Sequence, residues 1–293
     1  MPLTPDSPDT PEASAARNDI ARIDALSTHH DPVHDGVRVR WRRFGTDTTK
    51  PPIVLLHGGH GSWMHWLRNA DALSAGRTLL LPDMPGFHDS DAPPRVAPGE
   101  DSLLPLLNAL GGTLDALVGA GTPIDLGGFS FGGLTAARFA VQRGAVRKLA
   151  LLGSGGHGTL RRMTAQMINW RTAPDREAER AALLHNLGAL MLHDTATVDP
   201  LAFEIHDISC HGTRFRSKEV SQAGGLRKAI DTLGVPTLLL WGEYDVTADP
   251  RPLVALLASE GPDREGVVID GAGHWVQYER AAETNARLVK FFG

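Results

Sequence analysis

The stretch Gly127-Gly128-Phe129-Ser130-Phe131-Gly132-Gly133 contains the pattern G-x-S-x-G, set between an apolar run (Pro123 to Leu126) and a segment of helical spacing (Leu134 to Gln142) closed by Gly144. So short a pattern also arises by chance, and its position between strand and helix is what gives it weight. A strand that passes at once into a helix holds the serine in a strained turn, and both flanking residues must be small. Such a turn lifts the Ser130 hydroxyl above the carboxyl ends of the strands, where open α/β sheets bind ligands. It also sets the free N–H groups of a helix start beside the reacting atom.

Outward from this turn, apolar runs alternate with helical segments. Asp24 to Thr28 and Val37 to Phe44 read as strands, the second with alternating Val37, Val39 and Trp41. Ile53-Val54-Leu55-Leu56 is a continuous apolar run, as expected of a strand buried on both faces of a parallel sheet, and it ends in His57-Gly58-Gly59-His60-Gly61. Trp66 to Ala75 and Leu103 to Val118 suit helices, and Thr78 to Leu81 and Val146 to Leu152 suit strands. From Gly155 to about Gly225 the alternation stops in favour of helical spacing, as in Arg180 to Leu192. It resumes with strands at Val235 to Trp241 and Gly266 to Ile269, and helices near Pro252 to Ala258 and from Ala281 to Phe292.

This order predicts an α/β fold with a mostly parallel central sheet flanked by helices. The interruption, about 70 residues, is too long for a loop and predicts an inserted helical cap. The expected organisation is a disordered lead over 1–18, a core from 19–154 and 226–293, and a cap over 155–225.

Composition narrows the partners. The chain has 293 residues, 42% hydrophobic and 22% charged, which excludes disorder of the whole chain. A net charge of −5 supplies no basic surface for nucleic acid. Cys210 is the only cysteine, so neither an intrachain disulfide nor a Cys-rich zinc site can form. No secretory segment and no apolar run of about 18 residues occurs, so a cytoplasmic location without membrane contact is expected. A small-molecule substrate is the expected partner, and a homo-oligomer stays open.

A serine hydroxyl needs a base. Of the 13 histidines, His274 in Gly271-Ala272-Gly273-His274-Trp275 is the best placed, on the loop between the last strand and the last helix. The base needs a carboxylate to hold it. Asp245 follows the strand Val235 to Trp241 and is favoured over Glu243 and Asp249 nearby. The oxyanion donors expected are the N–H groups of Phe131, directly after the serine, and of Gly59 in the His-Gly loop. His60, Trp63, Phe129 and Trp275 are expected to line an apolar substrate pocket. His57, His60 and His65 cluster in sequence but lack Asp or Cys partners at a ligand spacing, so no metal is expected. His57 is assigned a supporting role in its loop, and no cofactor is implied.

The order Ser130, Asp245, His274 together with the His-Gly loop resembles the α/β-hydrolase superfamily over nearly all of the chain after residue 20. Trp66-Leu67-Arg68-Asn69, Pro85-Gly86-Phe87 with Ser90-Asp91, and Gly273-His274-Trp275 with Gln277 resemble the meta-cleavage product hydrolases, which cut carbon–carbon bonds of ring-fission products. The resemblance implies Ser130 as nucleophile, Asp245 as acid, His274 as base, Gly59 and Phe131 as oxyanion donors, and Trp275 at the pocket. That subfamily carries Asn directly before the serine, where this chain has Phe129. The expected function is therefore hydrolysis of a carboxylic ester or related acyl bond of a small, largely apolar substrate. Carbon–carbon hydrolysis and a non-enzymatic ligand receptor are the alternatives.

Overall fold

The computed structural model describes residues 10–47 and 49–293. The chain begins there with helix α1 (Pro11–Asp24), so the disordered lead expected over 1–18 is corrected for residues 10–18, and residues 1–9 lie outside the described residues. The signal was local: Thr10 caps the helix, its hydroxyl oxygen accepting the Ala13 N–H at 3.2 Å, and Pro11 opens it. Ala13, Ala16, Ile20 and Ile23 form its buried stripe. The strand expected from Asp24 begins only at Thr28, because α1 runs through Asp24.

Strands β1 (Thr28–His30), β2 (Val33–His34), β3 (Val37–Arg38) and β4 (Trp41–Phe44) follow, so Val37 to Phe44 is broken in two rather than continuous. Then come β5 (Ile53–Leu56), α2 (Ala70–Ser74), β6 (Leu79–Pro82), α3 (Leu104–Val118), β7 (Ile124–Phe129), α4 (Phe131–Arg143) and β8 (Val146–Leu152). The long connection holds α5 (Arg176–Asn186), α6 (Pro200–His211), α7 (Ser217–Gln222) and α8 (Leu226–Leu233). The chain closes with β9 (Thr237–Gly242), α9 (Pro250–Ser259), β10 (Arg264–Ile269), α10 (Val276–Glu279) and α11 (Ala281–Phe292).

Eight strands form one sheet in the order β1-β4-β6-β5-β7-β8-β9-β10. β1, β4 and β6 pair antiparallel, and every pairing from β6 to β10 is parallel. Strands covered on both faces are largely apolar, and β5, β7 and β9 are buried at every residue, the carboxylate of Asp125 in β7 being paired with Arg77. Two cores result: one face packs Trp41, Leu56, Leu126 and Trp241 with α3, α4 and α9, and the other packs Leu55, Phe129, Leu240 and Trp275 with α11. The connection between β8 and β9 crosses the carboxyl ends of the strands, and α1 packs against its helix α6. Among the described residues no helix is long and apolar enough to cross a membrane.

Candidate active site

The turn after β7 has the shape its glycines foretell. Ser130 adopts φ 55° and ψ −120°, a region where L residues are strained by about 1–3 kcal/mol. Its N–H donates to the Leu152 carbonyl at 2.9 Å, and its own carbonyl accepts from Gly133 (2.9 Å) and Gly155 (2.8 Å). These bonds hold the strained residue in place. A β-carbon at Gly128 would run into the Gly132 carbonyl, and one at Gly132 into the His57 carbonyl.

The sheet brings the three distant residues together. Ser130 Oγ lies 2.9 Å from His274 Nε2, and His274 Nδ1 lies 2.8 Å from Asp245 Oδ2. His274 and Asp245 are buried, at 3% and 2% exposure. Burial alone would push the Asp245 carboxyl up, but the His274 ring and the Thr247 hydrogen bonds outweigh it and hold it below its usual value. An acceptor on Nδ1 puts the ring proton there and leaves the Nε2 lone pair for the serine. A hydroxyl so placed can lose its proton to the ring as its oxygen attacks a carbon.

The rival carboxylates are engaged elsewhere. Glu243 accepts from the Gly271 N–H and pairs with Arg251, and Asp249 pairs with Arg162. The loops that carry Asp245 and His274 are knitted by backbone bonds: Tyr244 N–H donates to Ala272 and Glu243 N–H to Ile269. Sequence reasoning missed Thr247 and Gly153. Thr247 donates to Asp245 Oδ1 through its N–H (2.8 Å) and its hydroxyl (2.6 Å). The signal was an Asx turn, Asp followed two residues later by Thr. Gly153, at φ 49°, leaves room beside the pair, since a β-carbon would stand 3.1 Å from both Asp245 Oδ2 and His274 Nδ1.

Gly59 faces the first residue of α4: a β-carbon on it would stand 3.6 Å from Phe131 Cβ and collide with Ser217 of α7. Among the described residues, neither the Gly59 N–H nor the Phe131 N–H donates to a protein acceptor. Unengaged N–H groups are the donors a developing oxyanion needs, although Gly59 and Phe131 lie outside the lining of the cavity over Ser130. His57 braces this loop. Its Nδ1 donates to the Gly58 carbonyl at 2.8 Å and its Nε2 accepts the Met84 N–H at 2.9 Å. Burial pushes this ring down to about 4, so it stays neutral, and both nitrogens are committed.

The cavity over Ser130 measures about 310 Å³ and corrects the pocket. Its lining includes His157, Leu160, Arg161, Ser221, Gln222 and His274 and mixes polar with apolar groups rather than being largely apolar. Trp63, Phe129 and Trp275 do not line it, because each is packed inside the molecule. Phe129 lies against the His274 ring (centroids 4.9 Å), Trp275 donates its indole N–H to the His65 carbonyl, and Trp63 carries the Arg42 guanidinium on its ring. His60, half-buried at φ 52°, lies outside the lining as well.

Among the described residues one group, Asp83, His88 and Asp89, brings possible metal ligands together. The Arg42 guanidinium occupies it, 2.9 Å from Asp83 and 3.0 Å from Asp89, and supplies the positive charge an ion would bring.

Fold and geometry together describe an α/β hydrolase. The family model of the alpha/beta hydrolase fold matches residues 51–281, and the chain belongs to that family. A 2-hydroxy-6-oxononadienedioate/2-hydroxy-6-oxononatrienedioate hydrolase of Burkholderia vietnamiensis (strain G4 / LMG 22486) is 28% identical, over 91% of this chain and 96% of its own length. A 2-hydroxy-6-oxo-6-phenylhexa-2,4-dienoate hydrolase of Burkholderia cepacia is 29% identical, over 82% of this chain and 86% of its own. The solved naproxen esterase of Bacillus subtilis superposes with a TM-score of 0.74 at 21% identity, covering 99% of this chain and 100% of its own, a likeness of fold.

Proposed function

We propose that this hydrolase cleaves a carboxylic ester or related acyl bond of a small molecule through an acyl-enzyme. Ser130 Oγ attacks the acyl carbon while its proton passes to His274 Nε2. Asp245 stabilises the imidazolium, and the Gly59 and Phe131 N–H groups hold the oxyanion. As the tetrahedral intermediate collapses, His274 returns the proton to the departing alkoxide. A water then attacks the acyl carbon, giving its proton to His274, and the acid leaves as Ser130 is restored. The observation that carries this reading is the unbroken chain of hydrogen bonds from Ser130 through His274 to Asp245. The mixed lining, with Arg161, His157 and Gln222 in it, suits a substrate that bears hydrogen-bonding groups beside its apolar part.

Carbon–carbon hydrolysis is the second reading, supported by the names of the two Burkholderia relatives. Against it stands Phe129, apolar and buried where the family it resembles carries Asn. A panel of p-nitrophenyl esters, lactones and ring-fission dienoates, run on wild type and Ser130→Ala, separates the two. Turnover of esters alone supports the acyl reading, and turnover of the dienoates with inert esters replaces it.

A further inference from the structure

Glu279 is a buried carboxylate that the proton path from Ser130 to Asp245 does not use. It stands at the end of α10, and four donors converge on it. Oε2 accepts the Gly273 N–H at 2.6 Å. Oε1 accepts the N–H groups of His193 (2.8 Å) and Asp194 (2.5 Å) and the Thr197 hydroxyl (3.2 Å).

These donors come from two different parts of the molecule. Gly273 immediately precedes His274 on the base-bearing loop, whereas His193, Asp194 and Thr197 belong to the long connection between β8 and β9. The two backbones also touch. The Trp275 N–H donates to the Met191 carbonyl at 2.7 Å, and a β-carbon on Gly273 would stand 2.7 Å from the His193 nitrogen. Buried N–H groups need acceptors, and a carboxylate is a strong one. One side chain thus satisfies both segments and fixes their separation. A base must be held within about 0.5 Å of its working position, and here the neighbour of that base is tied to the cap-side segment.

We infer that Glu279 is a positioning residue, which locks the His274 loop to segment 191–197 so that the alignment of His274 on Ser130 depends on how that segment is seated. This rests on the proposed roles of Ser130 and His274. Thr197 takes part as the one side-chain donor among the four.

The test is Glu279→Gln in the full chain. The amide keeps the shape and one acceptor oxygen but turns its NH2 against the N–H donors of one segment. In folded Glu279→Gln, kcat for p-nitrophenyl butyrate falls about tenfold to a hundredfold, with KM within about threefold of wild type. The rate at which a fluorophosphonate labels Ser130 falls in parallel. A melting temperature that drops while kcat and labelling rate stay at wild-type values overturns the inference and leaves a purely structural carboxylate. Should Glu279→Gln not fold, Thr197→Val decides, since it removes a single hydroxyl. Its kcat falls about two- to fivefold at unchanged KM if the inference holds, and an unchanged kcat overturns it. Wild type that no fluorophosphonate labels defeats the underlying hydrolase reading, a different failure from labelling that Glu279→Gln leaves untouched.

Discussion

Thr247 gives Asp245 two hydrogen bonds on one oxygen, from its N–H at 2.8 Å and its hydroxyl at 2.6 Å, and so leaves the other oxygen to His274. The carboxylate is oriented before any substrate arrives. Thr247→Val removes the hydroxyl and keeps the shape, leaving a buried carboxylate short of one donor. The expected loss in kcat/KM is about three- to tenfold, with Thr247→Ser near wild type. Steady-state kinetics on one ester checks both, and equal activity of Val and Thr would show that the hydroxyl does not orient the acid.

Gly128→Ala is expected to abolish activity. The added methyl meets backbone, the Gly132 carbonyl, which cannot swing aside as a side-chain tip would. Either the turn shifts and carries Ser130 away from His274, or the protein loses about 1–3 kcal/mol or more of stability as overpacking. Fluorophosphonate labelling together with urea unfolding distinguishes these outcomes, and a variant that labels and unfolds like wild type would refute the packing described for this turn.

Arg42 joins Asp24, Asp83 and Asp89 at 2.6, 2.9 and 3.0 Å, beneath the loop that follows β6. Burial opposes its charge, but the carboxylates hold the guanidinium well above its usual range. Breaking a buried pair from one side strands the partner charge. Arg42→Met is therefore expected to cost roughly 3–5 kcal/mol in urea unfolding. A change under about 1 kcal/mol would contradict that assignment.

His88 sits 3.4 Å from Asp83 and 3.3 Å from Asp89. Burial pulls this ring down, but the two carboxylates raise it to about 9. The unfolded value is about 6.5, so the folded state binds the proton more tightly. Its contribution to stability is complete below about pH 6.5 and fades as pH rises through about 9. His211, held at about 9 chiefly by Asp207, acts in the same sense. The melting temperature is expected to fall between about pH 6.5 and 9.5, and His88→Asn to remove part of that slope. A slope identical in His88→Asn and wild type would contradict the role of His88.

What the sequence revealed followed from where its constraints were local. Ile53–Leu56 is apolar throughout and Val146–Leu152 is apolar but for Arg147 and Lys148 near its start, the pattern of strands inside a parallel sheet, and both are strands in the fold. Ser130, Asp245 and His274 each stand just past a strand end, a position that alternation alone locates, and the fold brings them into contact. Helix α1 departs from the unstructured lead that Pro, Asp and Ala suggest: its Thr10 cap and Pro11 are local signals, but its stripe of Ala and Ile is buried against distant parts of the chain, α6 among them, which sequence spacing does not reveal. The aromatic pocket failed for the opposite reason: nearness to a motif in sequence does not say which way a ring points. Phe129 and Trp275 pack behind the site, and residues 157–161 of the long connection supply the cavity wall instead. Glu279 offered no pattern, since its partners come from two distant segments.

The central claim is that Ser130, activated by His274, is the nucleophile. The most direct measurement is the turnover of a p-nitrophenyl ester by Ser130→Ala, with fluorophosphonate labelling of the wild type mapped by mass spectrometry. The expected result is a loss in kcat of about 10⁴-fold or more, with the label on Ser130. Turnover by Ser130→Ala near the wild-type rate, or a label on another residue, would contradict it.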